Sequence, residues 1–312
     1  MSSIDELKNT LKTSKDILNV IKTMKNVTMV NIRDYESSVK YSYYFKNNIE
    51  LAIHALVKYC NLEDINNMKN INLSNIKRKN KDIVIEKTKD GGKNKNLIII
   101  IGSNQGLCGR YNDRILDFML NNIKESEQNR YITLGDKMQM LMEHNKKFNI
   151  VKSFSAPSFL NLVNNVVFSI IKLIEDEFKN NLSNKVYLYY TKYDEITTNG
   201  TPIKLRLFDI NKKNIDKYKE KKWITKNIPV WRLDEKKLFF NITQKYIFVS
   251  ISDAIINSVA SELKSRLLTL QNTDKSIENI IKIKQLEYNQ KRQSLITNEL
   301  LDIVNGFKVT KK

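Results

Sequence analysis

The chain has 312 residues, 41% of them hydrophobic, and 53 Lys and Arg against 34 Asp and Glu give a formal net charge of +19. That is enough for one large or two modest domains with a real core, it excludes wholesale disorder, and the charge points to an acidic partner or surface. No apolar run approaches the roughly 18–20 residues that cross a bilayer, the first residues lack the pattern of a secretory leader, and Cys60 and Cys108 cannot build a disulfide scaffold.

Glycine and proline mark the elements by their absence. The prolines are Pro157, Pro202 and Pro229, and the glycines lie between Gly91 and Gly200 apart from Gly306, so residues 1–90 and 230–305 hold no helix breaker. Ile4, Leu7, Leu11, Leu18, Ile21, Met24 and Thr28 step by threes and fours, interrupted by Ser14. Ile32, Tyr35, Val39, Tyr43, Ile49, Ile53 and Leu56 carry the stripe on. Ser3 with Glu6 makes a capping box. A helix over residues 4–57 would be roughly 80 Å long, far beyond what a globular domain uses.

Residues 69–95 are basic, with nine Lys or Arg and three acids, and read as a linker. The middle alternates strands and helices. Residues 97–101 are continuously apolar, as a buried parallel strand is, and residues 131–135 and 186–190 are two further strand candidates. Residues 112–123 and 157–178 between them have helical patterns, so the middle predicts a small doubly wound α/β sheet. A second basic stretch, residues 212–226, has seven lysines and two acids. The last segment then repeats the first: Ile256, Val259, Leu263, Leu267, Leu270, Ile277, Ile281, Tyr288, Leu295, Leu300, Ile303 and Phe307 form another narrow stripe. Two apolar positions in seven suit a coiled-coil seam, so the two end helices are expected to pair antiparallel. The expected division is 1–68 for the first coiled-coil helix and its extension, 69–95 basic linker, 96–210 α/β domain, 211–235 basic connector and 236–312 last coiled-coil helix.

Enzymatic constellations are sparse. Residues 102–109, Gly-Ser-Asn-Gln-Gly-Leu-Cys-Gly, sit where a phosphate-binding turn would, but match neither the dinucleotide fingerprint nor the P-loop. A tight strand-to-helix turn is the plainer reading. Cys108 has no marked base, since His54 and His144 lie in unrelated helical segments, and a small buried cysteine is expected. His54 is expected to be a partly exposed helix residue. The carboxylates form no metal-binding pattern. The chain is expected to catalyse nothing alone and to hold no metal or cofactor.

Three blocks carry a resemblance. Val20-Ile21-Lys22-Thr23-Met24-Lys25-Asn26-Val27 resembles ITKAMxxV, and Ser103-Asn104-Gln105-Gly106-Leu107-Cys108-Gly109 with Asn112 resembles SDRGLCGGLN. Ala260-Ser261-Glu262 and Thr273-Asp274 resemble ASE and ATDNA. Residues 288–306, YNQKRQSLITNELLDIVNG, resemble YNxxRQAxITxELxEIVxGA. These are motifs of the γ subunits of F-type rotary ATPases, in the family's order. Arg110 stands where the family has a second glycine, and the family's proline before the last helix is absent from residues 230–235.

The resemblance implies a central shaft turning in an α3β3 hexamer, with rotation coupled to ATP hydrolysis or synthesis and to proton transport. It implies contacts with the catalytic β subunits through Met24, Lys25, Arg292, Gln293, Thr297 and Glu299. Gly106, Leu107, Cys108, Gly109 and Asn112 form the motif turn. ATP or ADP and Mg would sit on the partner α and β subunits, ε and a c-ring or other partners would meet the foot, and the whole would lie peripherally on the cytoplasmic face of the membrane. Two alternatives stand beside it. One is a γ-like shaft of an F1-like paralogous motor not coupled to protons. The other, a basic nucleic-acid-binding coiled-coil protein, lacks aromatic residues interleaved with the charge.

Overall fold

The computed structural model describes residues 4–59, 76–79, 82–85, 95–123, 128–144, 148–183, 185–197, 200–207, 227, 229–232 and 234–309. In chain order these form α1 (Ile4–Tyr59), β1 (Ile76–Lys79), β2 (Asp82–Ile85), β3 (Lys95–Ile101), α2 (Tyr111–Asn122), β4 (Gln128–Leu134), α3 (Asp136–His144), β5 (Ile150–Phe154), α4 (Val163–Lys179), β6 (Lys185–Lys192), β7 (Thr201–Leu207) and α5 (Glu235–Val309). Two compact units result, one of Met1–Val30 with Arg266–Lys312 and one of Asn31–Ser265. The expected five-part division places its boundaries between the long end helices, the basic stretches and the α/β middle. The compact units instead cut within α1 and α5, because the inner parts of both helices belong to the core of the α/β unit.

That core explains the sequence pattern. Five strands run in the order β5-β4-β3-β6-β7, parallel except for β7, which pairs antiparallel with β6 at one edge. On β3, Leu97, Ile99 and Ile101 face one core with Val167, Ile170 and Ile174 of α4, joined by Ile32 and Tyr35 of α1 and Ile251, Ile255 and Val259 of α5. Ile98 and Ile100 face a second core with Ile115 and Met119 of α2 and Met138 and Met142 of α3. A strand buried on both faces cannot alternate with polar residues, hence its continuous apolar run. Each such side chain taken fully from water contributes about 1.5–3 kcal/mol.

The expected middle strands and helices are present with slightly different ends, and five elements escaped the sequence. The stretch 69–95, expected to be a linker, contains β1 and β2, paired antiparallel with Lys79 opposite Asp82. Strands β5 and β7 lie at the sheet edges, where β7 tolerates Pro202 and alternates charged with apolar residues. The nine-residue, methionine-rich α3 is too short to show a clear period. All of 212–226 lies outside the described residues.

In unit one, Lys22 Nζ donates to Glu278 Oε1 at 2.9 Å, and Lys25 pairs with Asp274. As numbers rise on α1 they fall on α5, so the helices are antiparallel, as expected. Leu7, Leu11, Ile21, Thr28, Ile32, Tyr35, Ile49 and Leu56 of α1 are buried and fall on the two seam positions of one heptad; His54 and Ala55, near the end of α1, are buried off the seam. Tyr43, expected on the stripe, is 58% exposed. The seam passes instead through Ser42 and Lys46, which donate to the Asp253 carboxylate at 2.9 and 3.0 Å. His54, expected to be partly exposed, is fully buried beside Ala55 and Leu56. The most apolar window of α5 passes the length and composition test for a bilayer span, unlike the reading above, but 78% of it is buried inside the protein, as in a core helix.

Lys46→Ala removes one partner of a largely buried pair. Such losses cost about 3–5 kcal/mol; the lower end is expected because Ser42 and Asn257 still donate to Asp253. Thermal unfolding should show this, and an unchanged midpoint would refute it. Burial opposes the Lys46 charge, but Asp253, Tyr190 and Tyr246 outweigh it and raise the lysine pKa above its ordinary 10.5. The pair's contribution is therefore complete below pH 10.5 and fades only as pH rises through the raised value, so wild type should lose more stability than Lys46→Met in that alkaline window. At Gly102, an added Cβ would meet Met138 Cβ at 2.6 Å and Asn112 Oδ1 at 2.7 Å, whereas at Gly106 it meets open space. Gly102→Ala should cost about 1–3 kcal/mol by overpacking, with Gly106→Ala close to neutral in the same melts.

Candidate functional site: a shaft end and a closed cysteine turn

The turn between β3 and α2 lies at the carboxyl end of the parallel strands. There the winding of the sheet reverses between β3 and β6, the position where open α/β sheets bind ligands. In this chain the turn closes on itself. The Asn112 amide accepts from the Ser103 N–H at 2.9 Å and donates to Ser103 Oγ at 2.8 Å, while Ser103 Oγ donates to the Gln105 carbonyl at 2.9 Å. Cys108 is 3% exposed, with its sulfur 3.5 Å from Ser103 Oγ. Leu107 and Gly109 both take left-handed conformations, with φ of 62° and 59°. Gly109 does so freely and Leu107 at a cost. Arg110, in place of the family's glycine, sits at φ −89°, where any residue is comfortable.

The crevice above the turn is filled by α5. Tyr111 donates its hydroxyl to the Ser258 carbonyl at 2.8 Å, and Ser265 Oγ donates to the Cys108 carbonyl at 2.7 Å. Ser258 Oγ accepts from the Thr191 N–H at 3.3 Å, and Ser261 Oγ donates to the Thr191 carbonyl at 3.4 Å. Serines at three- and four-residue steps lay one polar row of α5 against the strand ends. The groups that would receive a nucleotide here fasten the helix. Burial of Tyr111 raises its hydroxyl pKa, so it remains a donor at neutral pH.

The residues implicated in β-subunit contact all lie in unit one, in two places. Met24 is half-buried on α1, and Lys25 beside it is held by the carboxylate of Asp274. Arg292, Gln293, Thr297 and Glu299 lie well beyond that pairing on α5 and are exposed; Thr297 Oγ1 donates to the Gln293 carbonyl at 2.9 Å within the helix. The structure thus does not gather the six into one cluster. Carried back along the seam, the register of Lys22 with Glu278 runs α1 out opposite about Ile296. Past that point Leu300, Leu301, Ile303 and Val304 are 49–57% exposed. Contiguous apolar surface of this kind marks an interaction site.

Sequence reasoning missed the polar seam residues Ser42, Lys46 and Asp253, and the Tyr193 hydroxyl that donates to the Glu36 carboxylate. A signal existed for the first group, since Ser42 and Lys46 continue the heptad that Tyr43 leaves. Nothing in the sequence pairs Tyr193 with Glu36.

A family model described as ATP synthase matches residues 3–309. The chain is 31% identical over 222 residues to the ATP synthase gamma chain of Mycoplasmopsis pulmonis, covering 70% of this chain and 75% of that one. It is 26% identical to the gamma chain of Buchnera aphidicola subsp. Baizongia pistaciae, covering 98% of each, and 23% identical to that of Rickettsia prowazekii, covering 98% and 99%. Its fold is similar to a chain of the Euglena gracilis mitochondrial ATP synthase rotor, with a TM-score of 0.61 at 13% identity over 94% of this chain and 98% of that one. With the motif turn, the paired end helices and a family match over nearly every residue in agreement, the chain belongs to the ATP synthase γ chain family, the central-stalk subunits of F-type ATP synthases.

Proposed function

We propose that the chain is the non-catalytic rotating shaft of a proton-coupled F-type ATP synthase, with ATP or ADP and Mg bound by partner α and β subunits. The observation that carries this is the bare end of α5, where Leu300, Leu301, Ile303 and Val304 are exposed beyond the reach of α1. An apolar helix end can turn within an apolar collar, because dispersion and burial have no preferred direction. Arg292, Gln293, Thr297 and Glu299 beside it offer directional hydrogen bonds that form at some angles and break at others. Met24, half-buried on α1, would meet the same collar lower down. Lys25 is occupied by Asp274, so it would act there by holding α1 to α5. The α/β unit would serve as the foot, meeting ε and the rotor ring at the cytoplasmic face of the membrane. The names of the bacterial relatives, all ATP synthase gamma chains, support proton coupling over a paralogous motor.

Reconstitution with α and β subunits, read by steady-state ATP hydrolysis and single-molecule rotation, tests this. The complex should rotate, and the purified chain alone should not turn over ATP; turnover by the chain alone overturns the reading. Deleting residues from Leu300 onward should leave the complex assembled and lower its torque. Gln293→Ala with Thr297→Ala should lower hydrolysis with little change in melting, since each exposed hydrogen bond is worth only about 0.5–1.5 kcal/mol. Early melting with normal activity per folded complex would instead make these residues structural.

A further inference from the structure

The short segment after β6 touches both long helices of the α/β unit at once. Tyr193, 8% exposed, donates its hydroxyl to the Glu36 carboxylate on α1. Its own N–H donates to Asn257 Oδ1 on α5 at 3.2 Å. Lys264 of α5 donates to the carbonyls of Asp194 and Glu195 at 2.7 and 2.8 Å, and its ammonium lies 5.1 Å from the centre of the Tyr193 ring. The segment is braced from within, since the Asp194 carboxylate accepts from the Ile196 N–H at 3.0 Å and from Thr197 Oγ1 at 2.8 Å.

These contacts close a ring. Asn257 donates to the Asp253 carboxylate at 2.9 Å, and Asp253 pairs with Lys46 of α1 at 3.0 Å. The polar path runs from Glu36 of α1 to Tyr193, through Asn257 and Asp253 of α5, and back to Lys46 of α1. Apolar packing between a helix and a sheet lets the helix roll, whereas directional hydrogen bonds to charged groups resist it. A tether to one helix would leave the other held only by the seam. Burial and the hydrogen bond to Glu36 both push the Tyr193 hydroxyl pKa up, so it stays protonated and donating.

We propose that Tyr193 is the positioning residue of a torsional joint that fixes α1 and α5 together to the α/β unit, so that torque passes between that unit and both shaft helices. This rests on the shaft reading. The joint is tested in the reconstituted complex, with a probe on the α/β unit and the hexamer stalled, by the width of the probe's angular distribution. Tyr193→Phe keeps the ring and removes only the hydroxyl; it should broaden the distribution while hydrolysis per complex is retained. Glu36→Ala should broaden it likewise, and Glu36→Gln, which keeps an acceptor oxygen, should restore most of the wild-type width. A wild-type width in both Tyr193→Phe and Glu36→Ala overturns the joint, and so does a lower melting temperature in either with the width unchanged. Failure of the wild-type complex to rotate at all would instead count against the shaft reading, so the two failures are told apart.

Discussion

The pairing of α1 with α5 is the constraint on which everything else depends. The inner parts of both helices are buried in the core of the α/β unit, but in unit one the buried residues of α1 fall on only two seam positions per heptad. That pattern is satisfied by a second helix of the same kind, which this chain carries at its other end. A purely apolar seam would leave register loosely specified. Here Lys25 with Asp274 and Lys46 with Asp253 interrupt it, three heptads apart on each helix. Partly buried ion pairs stabilise little against apolar substitutes, yet a wrong register leaves them unpartnered, which is costly. They specify alignment more than strength.

The α/β unit puts a widespread architecture to an unusual use. In a doubly wound sheet the crevice at the reversal of winding is the natural ligand site. Here Ser258, Ser261 and Ser265 of α5 bond to the backbone at the strand ends and the turn, and Asn112 satisfies the turn from beneath. The helix stands where a ligand would, and a binding site becomes a mount. The glycines of the turn serve the same end: Gly102 admits Met138 of α3 closely, and Gly109 supplies the left-handed step before α2.

How much of this could be read beforehand follows from how local each signal is. The two long helices were legible because residues 4–59 and 235–305 hold neither glycine nor proline and carry apolar residues at three- and four-residue steps, and the central strand because burial on both faces leaves no alternation. Strands β5 and β7 were not legible, since an edge strand with charged residues looks like a loop, and the hairpin of β1 and β2 was hidden by the lysines around it. The seam was misread at Tyr43 because hydrophobicity outranked heptad position, when Asp253 on the partner helix made Ser42 and Lys46 the better fit. His54 misled in the opposite sense, a polar residue in a fully buried place. The turn residues were recognisable as a motif, but the role of Asn112 as the turn's internal brace needed coordinates. The tip residues Arg292, Gln293, Thr297 and Glu299 were legible only through the resemblance, because nothing in their own spacing separates them from any exposed polar face of a long helix.

The bond between Lys22 and Glu278 spans 256 residues of sequence. During synthesis α1 leaves the ribosome first, and its seam partner in α5 emerges last. At about 5–20 residues per second, α1 waits roughly 13–50 s with its heptad stripe unmatched. The loop-closure entropy of so distant a contact further delays the pairing until the α/β unit has brought the two helix roots together. The sheet thus serves as a folding template for the helix pair. Throughout that interval the nascent chain presents a long amphipathic helix to its surroundings, the form of surface that chaperones and neighbouring nascent chains bind, and its fate depends on which arrives before α5 does.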